Sequence, residues 1–460
     1  MKLLHSSPDV AVIGAGPVGC VTALTYAQQG AKVLLLEAYS QNVKCFAGEW
    51  LHPPGVQILQ QVGIDLNLKR ITYPCGKGFV IFPEDGTTPI QLDYPDGEVG
   101  LSCEHSTILG ILREAAASHD NIQLLCDTKV TRIDGQKITF EQRNQGVTHT
   151  ALVNTIVGAD GRASTARKIL GIPNQSIPIS FMAGILLKDV ELPFEGFGHV
   201  VLGSVGPVLM YRVGAELVRV CLDVPRYFSR DPATLWKAYN SVIPKTLQPA
   251  FKQALSRDEV AWAVNLFCSR VQYGRTGLAL VGDATGYFHP ITATGMTIGF
   301  LDSDCLVRSQ RFEDYQQERT FRTYVPELLA ITLYEVFTKQ DESATALRHA
   351  IYRLWRSDPM ECRHTMQLLS GRETKLLSFS RSFLKGVLLA MAEVVQNNVR
   401  QQKWLQIVRD LVSFNQWLYI PIKLALLRAK KLLKIYFNNS KITTKILDIY
   451  SITQNEQPRN

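Results

Sequence analysis

The sequence DVAVIGAGPVG at residues 9–19 decides the fold of the chain. Its apolar first half predicts a short buried strand, and its glycines predict a tight turn into a helix. The helical pattern begins at Pro17 and extends to about Gly30. A second apolar strand, KVLLL at residues 32–36, follows and ends at Glu37. This order of strand, turn, helix, strand and acid predicts a dinucleotide-binding α/β unit.

Each residue type in this unit has a physical role. Gly14 permits the tight turn, Gly16 lets a pyrophosphate approach the backbone, and Gly19 lets the helix pack against the strand. The helix that starts at Pro17 offers free N–H groups and a positive dipole end to phosphates. Glu37 lies where a carboxylate can accept hydrogen bonds from both ribose hydroxyls of an adenosine. These features predict dinucleotide binding without distinguishing FAD from NAD.

Two further strands end in an acidic turn. TIVGADGR at residues 155–162 ends a strand at Asp160, and GLALVGDA at residues 277–284 ends another at Gly282-Asp283. A carboxylate at the end of a strand can hold a ribityl hydroxyl. Taken alone, the segment at Asp160 would be interpreted as a plain Asp-Gly turn; the second strand that ends in the same way favours a role at the cofactor.

The third motif continues as TGYFHPITATGMT at residues 285–297 and leads into a helical pattern. Pro290 restricts the chain before this helix, and the free amides around Gly295 and Met296 face an acceptor. A helix N-terminus favours negative charge. Such a loop suits a flavin, whose N1–C2=O edge becomes anionic on reduction.

Together the three motifs resemble the flavoprotein monooxygenases with the para-hydroxybenzoate hydroxylase fold, over about residues 9–320. Two segments resemble squalene epoxidases and related polyprenoid-acting flavoenzymes more closely. GEWLHPPG at residues 48–55 is similar to their G-E-x-L-x-P-G-G element, and HPITATGMT at residues 289–297 is similar to H-P-L-T-G-G-G-M-T. The sequence departs from this family at Ala293, where glycine is usual, which predicts a slightly tighter loop. It also has His105 or Ser106 where the family often has an arginine that reaches the flavin.

The resemblance implies FAD as the cofactor, NAD(P)H as a cosubstrate, and no metal. It assigns no acid–base side chain, because the flavin performs the chemistry. Asp160 would lie near both the pyrophosphate and NAD(P)H. The residues that it places at the cofactor are Gly14, Gly16, Pro17, Gly19, Glu37, Glu49, Asp160, Gly282, Asp283, Pro290, Gly295 and Met296.

The middle of the chain has the pattern of an antiparallel sheet that would cover the cofactor. Residues 78–83 and 90–94 flank a turn and predict a hairpin, and further strand-like runs occur between residues 180 and 224. Met210, Tyr211 and Phe288 are candidates for lining a substrate pocket. The predicted fold is α/β, with a Rossmann-like FAD-binding domain, an inserted antiparallel-sheet substrate domain and a helical C-terminal tail. The predicted segments are FAD-binding at 1–75, 101–175 and 271–310, substrate domain at 76–100 and 176–270, a helical region at 311–380, and a basic amphipathic tail at 381–460.

The tail has apolar residues at helical spacing and then a basic stretch. An aromatic-rich segment at residues 417–421 predicts a break between them, and no acidic residue occurs between Lys423 and Lys445. Apolar faces with tryptophan and interleaved basic residues suit the surface of an anionic membrane. The alternative is a helix that packs on its own domain or on a partner subunit. Nucleic acid is not expected as a partner, because no recognised binding module accompanies the charge.

Composition sets the class of protein and its compartment. The chain has 460 residues, of which 46% are apolar and 20% charged, and a formal net charge of +8. Its nine cysteines are widely spaced and form no C-x-x-C pair, which argues against a disulfide framework or a structural zinc site. We see neither a secretory signal nor an apolar stretch of about 18 residues that could span a membrane. We therefore expect a cytoplasmic protein that associates peripherally with a membrane.

The sequence favours an FAD-dependent monooxygenase that uses NAD(P)H and O2 to epoxidise or hydroxylate a polyprenoid or prenylated quinone. A flavin-dependent reductase of prenyl chains shares all three motifs and differs in its need for oxygen. A hydroxylase of a soluble aromatic compound is a second alternative, in which the tail is only a packing element. A flavin-fold protein without enzymatic activity is the third.

Overall fold

A computed structural model describes residues 8–39, 48–64, 75–143, 146–173, 175–402 and 404–437. The chain divides into two compact units, Met1–Phe414 and Asn415–Asn460. In the described part of the chain the strands are, in order, β1 (Val10–Ile13), β2 (Val33–Leu36), β3 (Trp50–Leu51), β4 (Cys75–Gly76), β5 (Gly78–Phe82), β6 (Ile90–Asp93), β7 (Gly100–Ser102), β8 (Ile122–Leu125), β9 (Thr128–Asp134), β10 (Lys137–Gln142), β11 (Val147–Leu152), β12 (Thr155–Gly158), β13 (Ile177–Lys188), β14 (Phe197–Val201), β15 (Val208–Arg212), β16 (Leu217–Pro225), β17 (Val260–Phe267), β18 (Gly274–Arg275) and β19 (Leu278–Leu280).

The α-helices occur between and after these strands. In the same described ranges they are α1 (Pro17–Gln28), α2 (Pro53–Gln61), α3 (His105–Ala117), α4 (Thr165–Ile169), α5 (Pro232–Tyr239), α6 (Gln248–Ser256), α7 (Gly295–Arg308), α8 (Phe312–Arg322), α9 (Tyr324–Thr338), α10 (Glu342–Ser357), α11 (Pro359–Leu369), α12 (Leu376–Arg400), α13 (Trp404–Ser413) and α14 (Asn415–Phe437). Within the described residues, three 3₁₀ turns, at Pro95–Gly97, Gly282–Ala284 and Pro290–Thr292, connect other elements.

The first sheet has six strands in the order β18-β19-β12-β1-β2-β8. All neighbouring pairs are parallel except β18 with β19. Strand residues alternate between two apolar cores: Val10 and Val12 face a cluster built with α1, α3 and α7, whereas Ala11 and Ile13 face the other side. That other side is covered by the antiparallel sheet β11-β10-β9. Burial on both faces explains why these strands are continuous apolar runs.

The second large sheet has seven strands in the order β17-β13-β16-β15-β14-β5-β6. The predicted hairpin is confirmed, because β5 pairs antiparallel with β6. One pair, β14 with β5, is parallel, since β5 joins the sheet from an earlier part of the chain. One face of the sheet forms an apolar core with α5 and α6. The predicted α/β fold class with an inserted, mainly antiparallel sheet is confirmed, whereas the segment boundaries stay predictions.

Helices α8 to α13 complete the first unit. The predicted break at residues 417–421 is wrong, because α14 continues through Pro421. A proline inside a helix removes one N–H donor and bends the helix without necessarily ending it. Much of the predicted basic stretch, including Lys441 and Lys445 and the side chains of Lys423, Lys431 and Lys434, lies outside the described residues. Among the described helices, none combines the length and apolar composition that a membrane span requires.

Candidate cofactor site

The turn between β1 and α1 requires two glycines. Gly14 has a φ of +96°, and a Cβ on it would lie 2.7 Å from the carbonyl oxygen of Ala159. A Cβ on Gly19 would lie 1.8 Å from the carbonyl oxygen of Gly14. Neither position has room for a side chain, so these glycines fix how α1 packs on the sheet.

Gly16 differs from its neighbours because a Cβ on it would meet no atom within 4 Å. It is the N-cap of α1, with Pro17 as the first helical residue, and no side chain caps the helix. The free N–H groups at the start of α1 therefore lie beside a position with room for a ligand. A helix N-terminus of this kind can bind a phosphate group.

Glu37 follows β2 and is buried beside this turn. Its Oε2 accepts a hydrogen bond of 2.8 Å from the backbone N–H of Ala15 and lies 3.1 Å from the guanidinium of Arg113. Its Oε1 accepts a bond of 3.1 Å from the N–H of Tyr39. Because a carboxylate offers about four acceptor positions, Glu37 can still accept a ribose hydroxyl.

Arg113 is a component of the site that sequence reasoning missed. It lies on α3, and its Nε donates a bond of 2.8 Å to the carbonyl of Ala15, inside the glycine turn. At the position near residue 106 where the sequence lacks the arginine of the family, His105, the first residue of α3, places its Nδ1 3.1 Å from the carbonyl of Gly48. Arg113 is the one arginine of α3, but its contact with the glycine turn depends on how α3 packs, which the sequence alone does not give.

Asp160 follows β12, and its Cα lies beside Gly14, 2.9 Å from where a Cβ would stand. Its carboxylate is engaged by α4: Oδ1 accepts a bond of 2.5 Å from Ser164 Oγ, and Oδ2 accepts bonds from two backbone N–H groups of that helix. In the structure this side chain therefore orients the start of α4. Its role toward FAD or NAD(P)H stays a prediction.

Buried charged side chains fix the backbone of the Gly282-Asp283 turn. Gly282, with a φ of +60°, donates its N–H to Asp302 Oδ2 over 2.9 Å. Arg270 forms an ion pair with the same carboxylate and donates to the carbonyl of Gly282 over 3.0 Å. Asp283 itself is partly exposed, and its Oδ2 lies 3.2 Å from Arg162 Nε. The turn is thus rigid while its acidic side chain remains accessible.

The segment from His289 to Thr297 forms a loop that leads into α7; we call residues 289–297 the flavin loop. Pro290 begins a 3₁₀ turn, and Ala293 then adopts a left-handed conformation with a φ of +53°. Gly295 begins α7, no side chain caps this helix, and a Cβ on Gly295 would meet no atom within 4 Å. Met296 lies near Gly48, with 3.6 Å between its Cγ and where a Cβ would stand on Gly48. The loop therefore presents a second open helix N-terminus.

Glu49 directly precedes β3 and is bonded to the seven-stranded sheet. Its carboxylate accepts two bonds from Arg219, of 2.9 and 2.7 Å, and one of 3.2 Å from Tyr211 Oη. Burial raises the pKa of Tyr211 well above its ordinary value, so the phenol stays neutral. In the structure Glu49 attaches the segment before β3 to β15 and β16, and its contact with FAD stays a prediction.

The three candidate pocket residues have different surroundings. Met210 packs in the core shared with α5 and α6 and does not line a pocket on the cofactor side. Tyr211 is the next residue on β15 and therefore points to the opposite face, toward Glu49. Phe288 packs with Ile298 and Ala330 beside the flavin loop.

Comparison with known proteins places these features in a family. The family model for squalene epoxidase matches residues 152–411, and the model for pyridine nucleotide-disulphide oxidoreductases matches residues 8–190. The chain is 29% identical over 388 residues to squalene epoxidase from Aspergillus fumigatus, covering 76% of this chain and 80% of the relative. It is 27% identical over 435 residues to squalene epoxidase from Saccharomyces cerevisiae, covering 82% and 86%.

Solved structures support the fold. The p-nitrophenol 4-monooxygenase of Pseudomonas putida matches with a TM-score of 0.65 and 18% identity, covering 80% of this chain and 99% of that one. A flavoprotein/dehydrogenase of Cytophaga hutchinsonii also matches with a TM-score of 0.65, at 19% identity, covering 79% and 93%. The chain is an oxidoreductase with flavin monooxygenase activity, for which the comparisons indicate FAD as cofactor and NAD(P)H as reductant. Since one family model matches more than half of its residues, the chain belongs to the squalene epoxidase family.

Proposed function

We propose that this protein uses NAD(P)H and O2 to epoxidise or hydroxylate a lipophilic substrate, a polyprenoid or a prenylated quinone. The observation that supports the cofactor site best is the pair of uncapped helix N-termini at Gly16 and Gly295, each with open space where a Cβ would stand. The family membership supports the reaction class.

The residues present fit FAD. The N–H groups at the start of α1 would bind the pyrophosphate beside Gly16, and Glu37 would accept a ribose hydroxyl. Asp283 would hold the ribityl chain, and the dipole of α7 would favour negative charge on the flavin ring beside Met296. When bound, FAD supplies the redox chemistry, accepting a hydride from NAD(P)H and activating O2 once reduced.

A cavity among the helices that follow the flavin loop supports a lipophilic substrate. It lies between α9, α10, α11 and α12 and holds about 90 Å³. Its wall includes the polar residues Thr332, Glu361, Thr365 and Ser382. Among these, Thr332 Oγ1 is buried with no hydrogen-bond partner among the described residues. Apolar side chains make up most of the remaining wall, among them Leu329, Leu333, Val336, Leu347, Ile351, Leu354, Leu368, Phe379 and Phe383.

The cavity and the flavin loop lie on opposite sides of one helix, α9. Tyr334 of α9 packs against the ring of His289, with 4.3 Å between the centroids, while Thr332 and Leu333 of the same helix line the cavity. A volume of 90 Å³ is smaller than the engineered cavity of about 150 Å³ that holds one benzene. It therefore admits part of a prenyl chain, and a whole polyprenoid requires these helices to move apart.

We also propose that α13 attaches the protein peripherally to a membrane surface. Trp404, Val408 and Val412 are spaced four residues apart on this helix and are each at least 60% exposed. The finding that no described helix can span a membrane is compatible with a helix that lies in the interface.

Flotation with anionic vesicles tests the attachment. The double variant Val408→Ser with Val412→Ser should lose binding, whereas Val147→Ser, which changes an exposed valine on β11, should bind as the wild type does. Equal binding of all three proteins would refute the role of α13.

The oxygenation itself is tested with purified protein, FAD, NADPH and a panel of polyprenoids and prenylated quinones, with and without O2. The proposal predicts an oxygenated lipid product that requires both O2 and NADPH. A product that has gained hydrogen instead, formed equally well without O2, would identify a prenyl-chain reductase. Turnover of a soluble aromatic compound alone would contradict the lipophilic substrate.

A further inference from the structure

A buried histidine contacts the flavin loop from outside the loop. His52 is fully buried, with Nε2 2.8 Å from the carbonyl oxygen of Thr292 and Nδ1 2.6 Å from Tyr94 Oη. Trp50 Nε1 lies 3.1 Å from the same Tyr94 oxygen. Because the carbonyl of Thr292 can only accept, the neutral ring of His52 donates its Nε2 proton there. Nδ1 therefore accepts the proton of Tyr94, whose oxygen in turn accepts the indole N–H.

His52 also contacts the start of α7 through its backbone. Its N–H donates a bond of 3.0 Å to Thr297 Oγ1. Burial lowers the pKa of its imidazole from 6.5 to about 4, so the ring is neutral at ordinary pH, as the chain of hydrogen bonds requires. One residue therefore holds the flavin loop at Thr292 and at Thr297.

The loop is anchored at its other end by a second histidine. Nδ1 of His289 accepts a bond of 3.2 Å from the N–H of Ile291, two residues along the loop. Its Nε2 lies 3.1 Å from Ser180 Oγ and 3.2 Å from Asp223 Oδ1, on strands β13 and β16. The first anchor thus joins the loop to the segment around α2, and the second joins it to the large sheet.

Between the two anchors lies the unfavourable conformation at Ala293. A residue with a Cβ avoids the left-handed region, and glycine would adopt it freely. Ala293 is nevertheless held at a φ of +53°, with its N–H donating to the carbonyl of Pro290 over 2.8 Å. The turn at Ala293 precedes Gly295, the first residue of α7. Contacts outside the turn must keep it in this form.

We propose that His52 is a positioning residue of the flavin loop. Its bond to the Thr292 carbonyl holds the left-handed turn at Ala293, and that turn directs the N–H groups of Gly295 and Met296 toward the flavin ring. The inference rests on the proposed role of this loop in FAD binding. It adds a residue that acts through the loop without touching the cofactor.

Two substitutions at one position provide the test. His52→Gln carries both an N–H donor and an acceptor oxygen and can keep both side-chain bonds, whereas His52→Leu keeps the bulk and loses both. We expect His52→Leu to weaken FAD binding roughly tenfold to a hundredfold, the range for leaving buried polar groups unpaired. The FAD affinity of His52→Gln should stay within about threefold of the affinity of the wild type. The measurement is the quenching of FAD fluorescence on titration of the apoprotein, with the visible spectrum of bound FAD as a second readout.

A third substitution distinguishes positioning from general damage to the fold. Ala293→Gly removes the conformational cost at the turn, so in the His52→Leu background it should restore part of the FAD affinity. If His52→Leu does not fold, Tyr94→Phe is used, because it removes the hydroxyl that orients His52 and leaves the ring in place.

The outcomes separate the inference from the proposed function. A wild-type protein that binds no FAD contradicts the proposed function itself. If the wild-type protein binds FAD and the variants His52→Leu and Tyr94→Phe match its FAD affinity and its spectrum, the positioning role of His52 is overturned and the proposed function is not. Equal losses in His52→Gln and His52→Leu, with no rescue by Ala293→Gly, would also overturn it.

Discussion

Replacing Gly16 with alanine should strongly weaken cofactor binding while leaving the protein folded. Gly16 has a φ of −71°, which alanine adopts freely, and its Cβ would meet no protein atom within 4 Å. The methyl group would instead occupy the space through which a pyrophosphate approaches the start of α1. This substitution therefore separates the role of the residue in the fold from its role in the site.

The expected effects of Gly16→Ala on stability and on FAD binding differ in size. Alanine is a poorer N-cap than glycine, but it also restricts the unfolded chain, so the free energy of unfolding should change by less than about 1 kcal/mol. Excluding the pyrophosphate from the N–H groups of α1 removes charge-assisted hydrogen bonds worth roughly 1.5–3 kcal/mol each. Loss of two such bonds weakens FAD binding by at least about a hundredfold.

The assay combines urea unfolding of the apoprotein with titration of FAD fluorescence. Gly19→Ala is the matched control, because its Cβ would lie 1.8 Å from the carbonyl oxygen of Gly14 and must displace backbone. We expect this control to lose roughly 3 kcal/mol or more of stability. If Gly16→Ala binds FAD as tightly as the wild type does, the start of α1 is not the pyrophosphate site.

Three further substitutions test the buried polar groups. Asp302→Asn should destabilise the protein by roughly 3–5 kcal/mol in urea unfolding, since Asp302 pairs with the buried guanidiniums of Arg270 and Arg319; no change would contradict the buried ion network. Because burial lowers the pKa of His52 to about 4, its contribution to stability is present above pH 6.5 and is lost as the pH falls toward 4, by roughly 3 kcal/mol in total. Urea titrations across that pH range should show a smaller loss of the free energy of unfolding in His52→Gln than in the wild type. Identical pH profiles of the two proteins would count against a neutral His52 in the native state. Thr332→Val should stabilise the protein by roughly 1 kcal/mol, because it removes an unpaired buried hydroxyl, and a lower urea midpoint would show that the hydroxyl has a partner.

Local motifs made the start of the fold predictable from sequence. The strand, turn and helix around Gly14 and Gly19 are adjacent in the chain, and the steric requirement for glycine acts over a few residues. The helix predicted after the third motif is found for the same reason, since α7 begins at Gly295. The paired strands β5 and β6 are also joined by a short turn.

Contacts between distant residues could not be derived in this way. Glu49 is bound by Arg219, which is 170 residues away in sequence, and Asp160 is engaged by a short helix whose position depends on the sheet. The role of Arg113 depends on which side of α3 faces the glycine turn. Sequence motifs identify residue types suited to a cofactor, whereas the packing of separate elements decides which of their polar atoms already have partners.

Transfer of labelled oxygen tests the central claim most directly. Purified protein with FAD and NADPH is incubated with the lipid panel under ¹⁸O-labelled O2, and the products are examined by mass spectrometry. An FAD-dependent monooxygenase predicts a lipid product that contains one ¹⁸O atom from O2, formed only when NADPH is present. Oxidation of NADPH with every lipid unchanged, or a product that has gained hydrogen and no label, would contradict it.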